Sequence, residues 1–236
     1  MKSNWGSDTT LGRTPFSNLL AQNASLLPYF DISLERTGDL DPLDGGNVIF
    51  GDHLPGYVSV EQAPVLENVI PYRWTTYVDG MSINGQNIPF GQSSTPTTPP
   101  GKLVAMVDTG TTDVLLSKEL ADAIHANILG AVPVGDVWFV PCAGAANITF
   151  VIGFVSLLTR SKDLEIQIRI SGQEFPVHPL DLTFMVSNSE AMFSDKLPMN
   201  ATLCISQYRT TSVLRTSYSD VDMVLGDAFL KNAYVS

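Results

Sequence analysis

The amino-acid sequence predicts an all-β class fold, mainly β with a few short helices, and three observations carry that expectation. Apolar and β-branched residues fall in short runs cut by Gly, Pro and Asn. The dipeptide Asn84-Gly85, set between MSI and NIPF, is a strong signal for a tight hairpin turn. The 236 residues include 18 Gly and 15 Pro, with 16% charged against 44% hydrophobic residues, which describes a packed, turn-rich chain rather than a disordered or coiled-coil one. One large domain or two small ones would fit the length.

Each element follows from its local pattern. Thr14-Pro15 opens a short helix carrying Phe16, Leu19 and Leu20 on one side. Gly45-Gly46 precedes the strand-like NVIFGD, and Tyr72 to Val78 alternates large and small side chains. Gly91 to Gly101 (GQSSTPTTPPG) reads as a long exposed loop. Lys102 to Val107 then runs apolar into Asp108-Thr109-Gly110, so a buried strand delivers a carboxylate to a tight turn, where burial makes a charge costly. After a further apolar run, Asp113 to Leu116, Ser117 caps a helix whose Leu120, Ile124 and Ile128 recur every four residues, with Gly130 beyond its end. A third helix follows Gly226-Asp227 with Phe229 and Leu230. Phe154 to Ser171 alternates cleanly from Leu164 to Ile170 and reads as a surplus strand.

Composition narrows the function. A net charge of −11 opposes nucleic-acid binding, which needs a basic footprint. The longest apolar-looking run, Ile148 to Thr159, falls short of the roughly 20 residues of a membrane-spanning helix, so no membrane span is expected. The opening MKSNWGSDTTLGR lacks the apolar core of a signal peptide. His53, His125 and His178 are far apart and without H-x-x-x-H spacing, which argues for surface or core positions rather than metal ligands. The acidic cluster Asp39, Asp41, Asp44 and Asp52 lacks the order of a calcium loop and reads as a solvated turn. With no phosphate-cradling G-x-x-x-x-G-K-[ST] loop and no G-x-S-x-G elbow, the expectation is no cofactor and no metal. Cys142 and Cys204 are two inert buried thiols or one bridge. Sequons at Asn23, Asn147 and Asn200, together with the acidic balance, favour an oxidising compartment and the bridge.

Chemistry concentrates at Asp108-Thr109-Gly110-Thr111-Thr112, where a carboxylate, a glycine and three hydroxyls follow an apolar strand. The glycine lets the backbone turn closely around the carboxylate, and hydroxyls can donate hydrogen bonds that orient it. A bare D-T-G also marks ordinary turns. The strand before it, and the strand and helix after it, favour function.

At these residues the chain resembles the pepsin-like aspartic endopeptidases, particularly fungal secreted ones. VAMVDTGTTDVLLSKELADAIHANI resembles that family's second active-site strand, aspartate motif and following helix. GGNVIFGDH resembles the G-G-x-[LI]-x-[LF]-G-G element near the end of the first lobe, and WTTYVDGMSINGQ the strand pair opening the second. VLGDAFLKNAYV resembles the L-G-D-x-F-L-[RK]-x-Y segment close to the family's end. The resemblance implies a pepsin-like fold: 1–57 as a remnant of the N-terminal lobe, and 58–236 as a C-terminal lobe β-barrel. It implies Asp108 as a catalytic carboxylate, Thr109, Gly110 and Thr111 as its support, and Thr112 near bound peptide. Val224, Leu225 and Gly226 are then the psi-shaped loop beneath it. Through VPCAGAANITF and ATLC it implies a disulfide between Cys142 and Cys204. A peptide or protein substrate, a monomer once complete, and a secreted or vacuolar location also follow from the resemblance.

Departures from the family pattern matter equally. The family uses two aspartates from two D-T-G motifs, and only one occurs in this sequence. The strands that follow the L-G-D-x-F-L segment in the family are also missing after Ser236, so by this resemblance the chain reads as truncated at both ends and as inactive or nearly so by itself. A non-catalytic peptide-binding or inhibitory lobe and a pseudogene product are the alternatives. Joining Gly153 to Gly172 restores the family's strand, Gly-Gly turn and strand. The 18 residues between them, 154–171, read as a retained intron of 54 bases or as an inserted hairpin, which transcript reads across the junction distinguish.

Overall fold

The computed structural model describes residues 14–35, 45–142, 146–153, 155–161, 164–170, 172–184, 203–210, 214 and 218–236. Helix α1 (Pro15–Gln22) starts where the Thr14-Pro15 signal places it, with the Thr14 side chain accepting from the Ser17 amide. Its Phe16 packs against Phe30 and Phe50 of the antiparallel pair β1 (Phe30–Leu34) and β2 (Gly46–Phe50). The C-terminal residues close on the same pair, because Ile32 and Val235 exchange backbone hydrogen bonds. A 3-10 helix, Pro55–Gln62, follows, and the lobe division expected after Tyr57 falls within it.

The centre is an eight-stranded sheet. It contains β3 (Thr75–Ile83), β4 (Gln86–Asn87), β5 (Leu103–Val107), β6 (Val114–Leu116), β9 (Ile148–Ile152), β12 (Gln173–Pro176), β15 (Tyr208–Thr210) and β16 (Met223–Leu225). Its order is β12-β9-β3-β5-β16-β6-β15, with β4 hairpinned onto β3. A smaller sheet, ordered β13-β14-β8-β7, adds β7 (Val132–Val134), β8 (Val137–Pro141), β13 (Thr183–Phe184) and β14 (Leu203–Ser206). Val78, Ile83, Leu116, Ile124, Phe150 and Leu225 form part of the fully buried core, to which α2 (Lys118–His125) contributes the Ile124 side chain. The Asn84-Gly85 turn has φ of 51° and 78° at its two residues, the doubly positive conformation that an Asn-Gly hairpin supplies. α3 (Asp227–Leu230) is the helix expected after Gly226. The architecture is therefore mostly β with a few short helices, as the sequence predicts.

Three expectations need correction in detail. The strand expected over Tyr72–Val78 begins at Thr75, because the Arg73 amide closes a turn on the Ile70 carbonyl; Tyr72 and Arg73 both reach Asp220. The NIPF arm of the hairpin pairs only through Gln86–Asn87. Helix α2 ends at His125 with Ala126 as its cap, so Ile128 is buried in the turn that follows rather than on the helix. The surplus segment forms two strands, β10 (Val155–Ser161) and β11 (Leu164–Ile170), paired antiparallel with each other. Asp39, Asp41, Asp44 and Asn200 lie outside the described residues.

Candidate active site

Strand β5 carries four buried residues in succession before Val107, and Asp108 leaves its end half-buried. Two donors from the next three residues hold the carboxylate. The Gly110 amide donates to Oδ1 at 2.9 Å, and the Thr111 hydroxyl donates to Oδ2 at 2.8 Å. Each oxygen keeps a lone pair beyond these bonds, since a carboxylate accepts at about four positions. Thr109, Gly110 and Thr112 are exposed around it.

Beneath this turn runs β16, lying between β5 and β6 although it follows them by about a hundred residues; it is parallel to β5 and antiparallel to β6. Val224 and Leu225 are fully buried, and the Leu225 carbonyl accepts the Asp108 amide at 3.2 Å. Gly226 is where the two loops press together. A Cβ there would lie 2.1 Å from the Thr111 carbonyl oxygen and 2.4 Å from that of Asp113, closer than any side chain permits. The first amides of α3 finish the clamp: Asp227 N donates to the Thr111 carbonyl at 2.8 Å and Ala228 N to that of Thr112 at 3.0 Å. The structure thus brings Asp108, Thr111, Val224, Leu225 and Gly226 together. Cys142 and Cys204 are disulfide-bonded, joining the ends of neighbouring strands β8 and β14.

Other sequence candidates stand apart from this turn. His53 Nδ1 lies 2.5 Å from Asp31 Oδ2, and His178 is exposed. His125 is buried, stacked on Trp138, with Nδ1 donating to the Ala121 carbonyl at 2.7 Å and Nε2 2.8 Å from the Ser206 hydroxyl. Its burial lowers its pKa to about 4. Asn23 and Asn147 are exposed. Among the described residues no group of His, Cys, Asp and Glu is arranged to hold a metal ion, and no helix is long and apolar enough to cross a membrane.

Sequence reasoning missed the ion pair that flanks the turn. Arg209 on β15 places Nε 2.9 Å from Asp113 Oδ2 and also directs its terminal nitrogen to the same oxygen. Sequence separation hides it, because β15 reaches β6 by a parallel pairing. A cavity of about 760 Å³ lies at the opposite end of the sheet, lined by Leu103, Leu116, Leu120 and Val221, away from Asp108.

Comparison with known proteins points the same way. Residues 4–236 match the family described as Asp, eukaryotic aspartyl protease. A curated relative from Arthroderma otae, named "Probable aspartic-type endopeptidase CTSD", is 24% identical over 231 residues. That alignment takes in 97% of this chain and 49% of the relative, so the chain spans about half the length of the protein it matches.

Proposed function

Because the chain belongs to the eukaryotic aspartyl protease family, we propose that it supplies one of the two catalytic carboxylates of an acid endopeptidase, and that Asp108 is that carboxylate. The observation that supports this best is the Asp108 turn itself. It is a half-buried carboxylate with one bond to each oxygen, clamped from below by a glycine that tolerates no side chain. Such rigidity is what general-base chemistry on a bound water requires, since misplacement of the base by a fraction of an ångström costs rate.

In this reading a water sits between Asp108 and a second aspartate. Two carboxylates that close share one proton, because both cannot easily ionise together. The ionised one takes a proton from the water as it attacks the peptide carbonyl, and the protonated one donates to the carbonyl oxygen. No covalent intermediate forms. Thr111 orients Asp108, and exposed Thr112 lies where a bound peptide would pass. The sequence holds one Asp-Thr-Gly, so the 236 residues alone lack the second carboxylate and are inactive as an endopeptidase.

The finer parts of the reading have their own support. The disulfide and the exposed sequons Asn23 and Asn147 favour passage through an oxidising, secretory compartment, with a secreted or vacuolar product. Membership of the family favours a monomer once the protein is complete. Residues 1–57 and 58–236 are assigned to the first and second lobes. Residues 154–171 are an insertion, because β9 and β12 pair up to Ile152 and Gln173, leaving Gly153 (φ 83°) and Gly172 as the two residues of a turn once the segment is removed.

The test is acid proteolysis of denatured protein substrate. In an active protein containing this chain and a second Asp-Thr-Gly, Asp108→Asn lowers kcat by about 10²- to 10⁴-fold, the usual contribution of a general acid or base. The isolated 236 residues release no peptides. Acid proteolysis by the isolated chain that Asp108→Asn abolishes would sink the requirement for a second carboxylate, and full activity of Asp108→Asn in the complete protein would sink the assignment.

A further inference from the structure

The loop Gly91 to Gly101 is absorbed neither by the Asp108 turn nor by the core, yet it is not loose. It carries five hydroxyls, on Ser93, Ser94, Thr95, Thr97 and Thr98. Four of them are committed. Ser93 Oγ donates to Asp222 Oδ2 at 2.6 Å or to the Thr98 hydroxyl at 3.0 Å, and Ser94 Oγ donates to Asp222 Oδ1 at 2.8 Å. Thr95 Oγ1 donates to the Asp220 carbonyl at 2.7 Å. The backbone adds two turns, with Thr98 N on the Thr95 carbonyl and Lys102 N on the Pro99 carbonyl. Thr97 alone differs. It is exposed at the third position of the Thr95–Thr98 turn, between Pro96 and the Thr98-Pro99-Pro100 run, and its hydroxyl bonds to no described residue.

We propose that Thr97 is an O-glycosylation site, the single hydroxyl that this anchored loop presents to a glycosyltransferase. Ser/Thr/Pro-rich exposed segments are the composition that carries O-linked sugars in secreted proteins. Here the structure selects one residue within the segment: reaction at Ser93, Ser94 or Thr95 sacrifices a donated hydrogen bond that anchors the loop, and Thr98, which accepts from Ser93, is only half-exposed. The Thr97 oxygen attacks the anomeric carbon of a hexose carried on a nucleotide or lipid phosphate. The new bond is C1 to Oγ1, the bond that breaks is C1 to the phosphate oxygen, the phosphate departs with the electron pair, and the hydroxyl proton passes to a base of the transferase. A neutral sugar also suits the surroundings better than a phosphate. The loop is fastened to Asp220 and Asp222, and a further dianion beside them would be repelled.

The experiment uses the full chain led by a supplied secretion leader in a yeast host, recovered from the culture medium. Its tryptic peptide Trp74–Lys102 is sequenced by electron-transfer fragmentation, which keeps the sugar on its residue. Hexose localised to Thr97, with occupancy falling at least tenfold in Thr97→Val and kept in Thr95→Val, is the expected result. An unmodified peptide in the secreted wild-type protein overturns the proposal, and so does hexose localised to Ser93, Ser94, Thr95 or Thr98. Localisation in the wild-type protein decides the matter even where a variant fails to fold.

Discussion

Asp31 and Asp108 are both aspartates of strands or strand ends, and the fold uses them in opposite ways. Asp31 is fully buried. It accepts from His53 Nδ1 and from the Tyr234 hydroxyl, which in turn accepts the Leu54 amide at 3.0 Å. Three separate stretches of chain meet on one oxygen. Burial and the Asp31 carboxylate together raise the Tyr234 pKa to about 12, so the phenol remains a donor throughout the ordinary pH range. Asp108 is half-buried, and both its side-chain partners come from the next three residues. A carboxylate tied by distant segments is a rivet, and removing it costs stability. One tied by its own turn is held still yet left open on one side, and under the function proposed above its removal is expected to cost chemistry rather than stability.

The largest effect expected on the rivet side is that of Asp31→Ala. It leaves a buried imidazole and a phenol without their acceptor, and breaking a buried pair from one side costs about 3 to 5 kcal/mol. Urea denaturation measures the loss. A loss under about 1 kcal/mol would erase the distinction between the two aspartates, because Asp31 would then be no rivet.

This contrast also explains what the sequence discloses. Asp108 is legible because its partners lie two and three positions away, so the motif contains its own geometry. The caps at Thr14 and Ser117 are legible for the same reason. The partners of Asp31 lie 22 and 203 positions away, and within FDISL it reads as an ordinary strand residue. Asp222 is equally silent in sequence although it anchors the loop some 128 positions upstream. The start of β3 is hidden because alternation continues back to Tyr72, whereas the side chains of Tyr72 and Arg73 are drawn off to Asp220. Periodicity records which face a residue takes, and it is blind to a partner that arrives from another element.

A second test applies the same distinction to the histidines. His53 faces a carboxylate, whereas His125 is buried against neutral partners, the Ala121 carbonyl, the Ser206 hydroxyl and the Trp138 ring, with Asp122 a weaker influence from its own helix. Its pKa falls from 6.5 to about 4, so the unfolded chain binds its proton before the folded chain does. The stability this site contributes is complete above pH 6.5 and is lost as pH falls from there to about 4, a change of about 3 kcal/mol. His125→Gln removes that titration. Urea denaturation at pH 7 and pH 4 is expected to show the wild-type chain losing about 3 kcal/mol more than the variant over that interval. Equal losses would mean that His125 is as well accommodated charged as neutral. Under the acid endopeptidase reading proposed above, such a site sets a stability cost at the working pH.

The smallest effect is expected from Thr111→Val, which tests the open side of the comparison. The substitution keeps the shape and deletes the hydroxyl that donates to Asp108 Oδ2. The turn itself is held by backbone groups that valine leaves intact: Gly110 N on Asp108 Oδ1, Asp108 N on the Leu225 carbonyl, and Asp227 N on the Thr111 carbonyl. Stability should therefore fall by only about 1 kcal/mol, the net worth of one hydrogen bond. The carboxylate, however, loses its orienting donor, so in an active protein kcat should drop further than stability alone explains, with KM little changed. A stability loss as large as that of Asp31→Ala would place Thr111 among the rivets. A loss confined to kcat would show that Thr111 acts through the orientation of Asp108, as a turn built to present a carboxylate rather than to bury one requires.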